Sequence, residues 1–306
     1  MIEAKHLETL TAVIEEGGFE RAARRLNITQ SAVSQRIRQM EEATGQPVLT
    51  RTQPPRPTGP GRALLRHARR VTLLEAELEA EMERLCASSE HADANGQPWQ
   101  PLALAVNADT LATWLADAVL PVLASERIAL DLRVDDQEKT LELLRNGEVS
   151  GCISARKTPP QGCRAEFLGH MTYHCACSPA FAQRWFADGL SLKAAWKAPA
   201  VVFNRDDNVH DSYLAMVLGV SPENAPRHHV PDSERFVDFV LGSAGYGLIP
   251  HLQAKPHFAT GSLVDLSPVT MPVPLYWHCW NIPSRLLARM GKALKAEARK
   301  QLLPAP

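Results

Sequence analysis

No stretch of the 306-residue sequence approaches the roughly 18 consecutive apolar residues of a membrane-spanning helix, so none is expected. The opening residues, MIEAKHLETLTAVIEE, interleave acidic and apolar positions and lack the basic start and apolar block of a secretory signal, which places the protein in the cytoplasm as an expectation. Cysteine is scarce. Cys86, Cys152, Cys163, Cys175, Cys177 and Cys279 are scattered, which suits free thiols in a reducing compartment better than a disulfide framework. Catalytic signatures are missing as well: there is no Gly-x-Ser-x-Gly, and nothing pairs a Ser or Cys nucleophile with a recognisable base, so no enzymatic activity is expected. The run GSAGYG, residues 242–247, precedes the apolar strand GLIP instead of following a strand and opening a helix, which removes it as a dinucleotide fingerprint; a helix end and a tight turn account for Gly242 and Gly245. Cys175-x-Cys177 in an alternating strand sets two small side chains on one face, and with His174, His278 and Cys279 it does not amount to a metal site. His228-His229 reads as strand-edge surface. Neither metal nor cofactor is expected.

A net charge of -1 conceals a strong partition. Residues 1–17 carry Lys5 against four Glu; residues 18–71 carry eleven Arg against Glu20, Glu41 and Glu42; residues 72–97 carry Arg84 against seven acids, and the remainder is balanced. A basic block between acidic flanks points to nucleic acid as a partner. Within it, Leu7, Leu10, Val13 and Ile14 repeat at helical spacing up to Gly17-Gly18. A short helix follows from Phe19 to Leu26, with Phe19, Ala22, Ala23 and Leu26 on one face. After Asn27-Ile28-Thr29, where Thr29 can cap, a third helix runs from Gln30 to about Thr44 with Val33, Ile37 and Met40 as its apolar stripe. Ser31, Ser34, Gln35 and Arg38 fall on another face. Gln can bond adenine bidentately and Arg guanine, and small serines allow close approach, so this pair of helices fits a helix-turn-helix whose second helix enters the major groove.

From Gly61 to about Ser89 there is neither Gly nor Pro, and Leu64, Ala68, Val71, Leu78, Met82 and Leu85 form a stripe that needs a partner, either the rest of the chain or a second copy of it. Beyond the polar segment HADANGQPWQ, short apolar runs alternate with helical stretches, the pattern of an α/β region with a largely parallel sheet. Strands are expected at 102–106, 128–134, 151–154, 173–177, 200–203, 246–249 and 275–280, and helices at 110–123, 138–145, 209–218, 233–241 and 284 to about 302. Ligands in such sheets bind where strands end and helices begin, which singles out residues 107–110, 135–138, 204–207 and 232–234. All four are polar and three are acidic. Acids at helix starts are ordinary caps, but several on one cleft would attract a cationic group, while Thr110 and backbone N-H groups could hold an anionic one. A basic amino acid carries both.

The run FERAARRLNITQSAVSQRIRQMEEATGQPVLTRTQPPRPTGPGRALL resembles the winged helix-turn-helix of LysR-type transcriptional regulators in motif, order and position, and the likeness extends over essentially the whole chain. It departs from the usual pattern in having Gly18 where a capping Ser is common and a proline-rich PPRP wing. The resemblance implies an α+β multidomain fold: a winged helix-turn-helix over residues 1–60, a linker and dimerisation helix over 61–90, and an effector domain over 98–306. That last domain would comprise two α/β Rossmann-like subdomains of type 2 periplasmic-binding-protein architecture, about 98–165 plus 268–306, and about 166–267. It implies that Thr29, Gln30, Ser31, Ser34, Gln35 and Arg38 face bases or nearby phosphates, that Arg51 and Arg56 in the wing clamp the DNA backbone, and that the stripe from Leu64 to Leu85 pairs two subunits. A homodimer, and beyond it a homotetramer, would then bind a double-stranded operator, with RNA polymerase as a further partner and no membrane contact. The segments VNADTLATW, DDQEKTLELLRNGEVSGCIS, KAPAVVFNRDD, GLIPHLQ and LYWHCW are similar to the branch of that family responding to lysine and arginine. That likeness implies control of basic amino-acid export or metabolism, with Asn107, Asp109, Thr110, Asp136, Asn204, Asp206, Ser233 and Glu234 as effector-pocket residues. A DNA-organising or replication-blocking protein, and a regulator answering to another metabolite, are the alternative readings.

Overall fold

The computed structural model describes residues 2–86, 99–220 and 224–304. The segment HADANGQPWQ, except Trp99 and Gln100, and the expected helical positions 87–89 lie outside the described residues. At the N-terminus, α1 (Ala4–Glu15), α2 (Phe19–Arg25) and α3 (Gln30–Thr44) bury Leu10, Val13, Ala22, Val33, Ile37 and Met40 against one another, and Val48, Leu49 and Leu65 close this small core. The apolar positions are those that helical spacing marks out, and burying each large one contributes about 1.5 to 3 kcal/mol. α4 (Gly59–Cys86) then leaves this core and runs along the second body. No described helix is long and apolar enough to cross a membrane.

That body is built from β1 (Gln100–Val106), α5 (Ala108–Thr113), α6 (Leu115–Ser125), β2 (Ile128–Val134), α7 (Gln137–Arg145), β3 (Gly151–Ser154), β4 (Cys163–Cys177), α8 (Pro179–Trp185), α9 (Leu192–Lys197), β5 (Ala200–Val202), α10 (Val209–Leu218), β6 (Arg227–His229), α11 (Ser233–Leu241), β7 (Gly247–Pro250), α12 (His251–Thr260), β8 (Val264–Asp265), β9 (Met271–Trp280) and α13 (Arg285–Gln301). The main sheet has the order β2-β1-β3-β9-β4-β7, with β8 beside β4; β5 and β6 pair separately, and Ala200 bridges to Tyr246 next to β7.

The sheet, expected to be largely parallel, is corrected to a mixed one. β1, β2 and β3 are parallel, but β4 and β9 run antiparallel to each other from Cys163–Trp280 to Tyr173–Met271 and join two sets of strands. A 15-residue β4 replaces the short strand expected at 173–177, because its first half is only half-buried and reads as polar in sequence. The single helix expected over 110–123 is two, meeting at Trp114. α8, α9 and α12 have no counterpart in the sequence reading; α12 carries Pro256 in its interior, which reads as a helix breaker. The core centres on Trp114, Tyr213, Tyr246, Trp277 and Trp280. Trp277 is clasped by glycines: a Cβ at Gly151 would lie 2.1 Å from its ring and one at Gly291 2.9 Å from its Nε1. Among the described cysteines, Cys152, Cys163, Cys175, Cys177 and Cys279 are free, and burial raises every one of these thiols above its usual pKa.

Candidate functional site: a basic helix face and an acidic cleft

The turn between α2 and α3 is closed by Asn27 in the left-handed region, φ 53°, a conformation Asn tolerates, and by the Ile28 N-H donating to Ala23 O at 3.1 Å. Thr29 Oγ1 accepts the Ala32 N-H at 3.2 Å and so caps α3. With Val33, Ile37 and Met40 buried, the opposite face presents exposed Gln30, Ser31, Gln35 and Arg38 and half-buried Ser34. Beyond α3 the chain doubles back in a short hairpin. Thr50 N-H donates to Arg56 O at 2.7 Å and Thr58 N-H to Val48 O at 3.0 Å, which holds Arg51 and Arg56 exposed beside the helix pair.

The basic block is divided between two tasks. Arg25 is paired with Glu15 at 2.7 Å and Glu16 at 3.3 Å, while three arginines of α4 face the second body. Arg66 donates to Arg145 O at 2.9 Å, Arg69 to Gly147 O at 2.9 Å, and Arg70 to Gly162 O at 3.1 Å, with the Arg70 guanidinium 5.6 Å above the Trp280 ring. Farther along α4, the Glu77 carboxylate accepts the N-H groups of Arg285 and Leu286 at 3.0 and 3.1 Å and the Ser284 hydroxyl. Cations thus meet the C-terminal end of α7 and an anion meets the N-terminal end of α13, each matching the helix dipole. The expected subunit stripe divides accordingly. Ala68 is buried within the chain, Leu64 and Val71 are half-buried, and Leu78, Met82 and Leu85 are exposed.

A cleft of about 1070 Å³ opens between the two halves of the sheet. Its walls bring together Asn107, Asp109, Asp136, Asn204, Asp206 and Ser233 from the expected set. Asn107 Oδ1 accepts the Thr110 N-H at 3.1 Å and Asp232 accepts the Arg235 N-H at 2.8 Å, so both are ordinary caps. Asp136 stands at the start of α7 but does not cap it; its Oδ1 crosses the cleft to accept from Asn204 Nδ2 at 2.9 Å. Deeper in, Asp109 accepts the hydroxyls of Tyr173 and Ser233, each at 2.7 Å. Burial pushes the Asp109 carboxyl above its usual range while these two bonds pull it down, and burial together with Asp109 raises the Tyr173 phenol well above its own.

Thr110 and Glu234 do not line the cleft. Thr110 is buried with its Oγ1 lacking a hydrogen-bond partner among the described residues, and exposed Glu234 pairs with Arg235 at 3.8 Å. The sequence reading missed Tyr173, Lys139, Asp207 and His210, all on the cleft wall. Asp207 stands in the acidic run already singled out, but Tyr173 lies inside a strand and carries no such signal. Burial raises the Asp207 carboxyl, with the Val209 N-H at 2.9 Å opposing, and burial lowers the His210 imidazole to about 4, so this histidine is neutral at pH 7. Six carboxylates, Asp109, Asp135, Asp136, Glu142, Asp206 and Asp207, face two cations, Lys139 and Arg205. The cleft therefore favours a cationic ligand, while the start of α7, which no side chain caps, leaves backbone N-H groups for an anionic one.

Residues 4–62 match the model of the bacterial regulatory helix-turn-helix protein, lysR family, and residues 95–298 that of the LysR substrate binding domain. The chain is 41% identical over 302 residues to the HTH-type transcriptional regulator ArgP of Vibrio vulnificus (strain CMCP6), covering 98% of each protein. It is similar to the crystal structure of ArgP from Mycobacterium tuberculosis, with 36% identity, a TM-score of 0.89 and full coverage of both chains. It is similar also to full-length LysG from Corynebacterium glutamicum with bound effector Arg, with 32% identity, a TM-score of 0.81 and coverage of 99% of this chain and 100% of that one.

Proposed function

The chain belongs to the LysR family of bacterial transcriptional regulators, DNA-binding proteins controlled by small-molecule effectors, and on that premise we propose that its effector is a basic amino acid, L-arginine or L-lysine. The observation that carries this reading is the cleft itself, with six carboxylates against two cations and a carboxylate, Asp136, turned across the cleft instead of capping its helix. The LysG relative with bound Arg supports it. Asn107, Asp109, Asp136, Asn204, Asp206 and Ser233 form the pocket in this reading. Because Asp109–Ser233 and Asp136–Asn204 link the two walls, a ligand between them would shift the balance between open and closed forms.

On the DNA side, Gln30, Ser31, Ser34, Gln35 and Arg38 read base edges or adjoining phosphates, Thr29 orders the start of the helix that carries them, and Arg51 and Arg56 hold the backbone. The units are a DNA-binding domain over 1–60, a linker helix over 61–90 and an effector domain over 98–306, in two subdomains of about 98–165 plus 268–306, and about 166–267. Exposed Leu78, Met82 and Leu85 favour pairing of two linker helices, which sets two reading helices on half-sites about one helical turn apart. The regulator acts in the cytoplasm as a dimer that assembles further to a tetramer, contacts RNA polymerase, and governs export or metabolism of its effector.

The test is a thermal-shift panel of the purified chain against the twenty amino acids, followed by footprinting. A ligand at about 100 times its Kd adds roughly 2.7 kcal/mol of stability. A selective rise with arginine or lysine, and a footprint confined to one short palindrome, are expected. No rise with either removes the effector assignment, and protection that spreads along DNA favours a DNA-organising protein instead.

A further inference from the structure

At the mouth of the cleft one side chain already does what an effector cation would do. The Lys139 ammonium lies 3.7 Å from Asp135 Oδ1 and 3.4 Å from Asp136 Oδ2, and 3.5 Å from Asp206 Oδ2 on the opposite wall. It neutralises the densest part of the acidic lining, and those carboxylates, Asp135 foremost, hold it protonated by raising its pKa. The arrangement is loose. Lys139 is 53% exposed and no partner is closer than 3.4 Å, so its flexible stem can swing the charge into water at little cost, since solvent screens exposed pairs of this kind. Independently of the carboxylates, His210 lines the same cleft at 3% exposure and its Nδ1 has no partner among the described residues, an unsatisfied polar atom of the kind a ligand completes.

We propose that Lys139 is a built-in competitor of the effector: its ammonium and the ligand's side-chain cation contest Asp135, Asp136 and Asp206, and the effector binds by displacing it. The proposal rests on the basic amino-acid reading above. Lys139 thereby sets a threshold for the response. A ligand without a side-chain cation gains nothing at this subsite, because it cannot replace the charge that leaves. Charge is what discriminates, more than shape. Arg205, the other cation of the lining, has no contact with these carboxylates among the described pairs.

Isothermal titration of the full-length protein with L-arginine, L-lysine and the uncharged analogue L-citrulline tests this, using wild type, Lys139→Met and Lys139→Arg. Lys139→Met is expected to bind arginine and lysine roughly two- to fivefold more tightly, the fold-change that matches the loss of an exposed pair, with citrulline unchanged. Lys139→Arg, which keeps the charge, should titrate as wild type. Unchanged or weaker arginine binding by Lys139→Met, beside a wild type that binds, overturns the competitor role alone. Equal tightening for citrulline also overturns it, since the change would then come from a looser cleft. A wild type that binds neither arginine nor lysine overturns the effector reading together with this one.

Discussion

On α3 the residues that meet DNA in our reading lie within one short stretch, Gln30 to Arg38, and share the exposed face of a single helix. In the cleft, the paired groups Asp109 and Ser233 stand 124 positions apart in the chain, and Tyr173, the second donor to Asp109, is 64 positions away. The first surface is a local consequence of helical spacing; the second exists only when β4 and β9 bring two sets of strands into one sheet. A change on α3 should therefore act on DNA alone, whereas a change in the cleft should act on stability and on the effector together.

The comparison is tested most severely at Asp109. Asp109→Ala leaves the Tyr173 hydroxyl without its acceptor and the Ser233 hydroxyl with only Gln253 Oε1 at 3.3 Å, and a loss of about 1 to 3 kcal/mol in urea unfolding is expected, together with loss of the arginine-induced thermal shift. Operator affinity in the absence of arginine should stay close to wild type; a parallel fall would show that the two regions are not separable. Next comes pH. His210 takes up its proton near 6.5 when unfolded but only near 4 when folded, so the unfolded chain binds more protons across that window and stability falls as pH drops from 6.5 towards 4. The loss amounts to up to about 3 kcal/mol by the end of the window, and denaturation of wild type beside His210→Gln should show it as a difference that grows with acidity. Equal slopes would remove His210 as its source.

On the DNA side, Arg38→Ala is expected to cost about 1 to 3 kcal/mol at the operator and relax base preference, whereas Arg51→Ala should weaken all sequences alike and reduce the salt slope by about 1; binding titrations at several salt concentrations distinguish them. Neither should alter the arginine-induced thermal shift. The smallest effect joins the two regions. Glu77→Ala removes the carboxylate of α4 that caps α13, for about 1 kcal/mol of stability, and should shrink the influence of arginine on operator affinity. An undiminished influence would mean that α4 transmits closure by some other contact.

Much of this molecule was legible before its structure. Helix spacing gives α3 as Gln30 to about Thr44, which agrees with the observed span, Thr29 caps it as its position predicts, and the strands read at 128–134 and 151–154 have those ends. The polar segments after strands pointed to the cleft because strand ends and helix starts leave backbone groups and charges facing the same way. What misled was local ambiguity. The sequence pattern could not separate an acid that caps a helix, such as Asp232, from one that reaches across a cleft, such as Asp136, since both occupy the same position relative to a helix. Nor could it separate the part of the α4 stripe that packs on its own chain, buried Ala68 with half-buried Leu64 and Val71, from the part left outside, Leu78, Met82 and Leu85.

Composition and periodicity by themselves determined a basic N-terminal helix pair, a long linker helix and an α/β region beyond it, because charge partition and apolar spacing act over a few neighbouring residues and need no knowledge of the rest of the chain. Only the tertiary structure decided that Tyr173 lies against Asp109, that Lys139 stands among three carboxylates from two walls, and that three arginines of the basic block hold the linker against the second body. Those facts depend on strand order and antiparallel crossing. They are set by which distant segments bury their apolar faces together, and no local pattern encodes that choice.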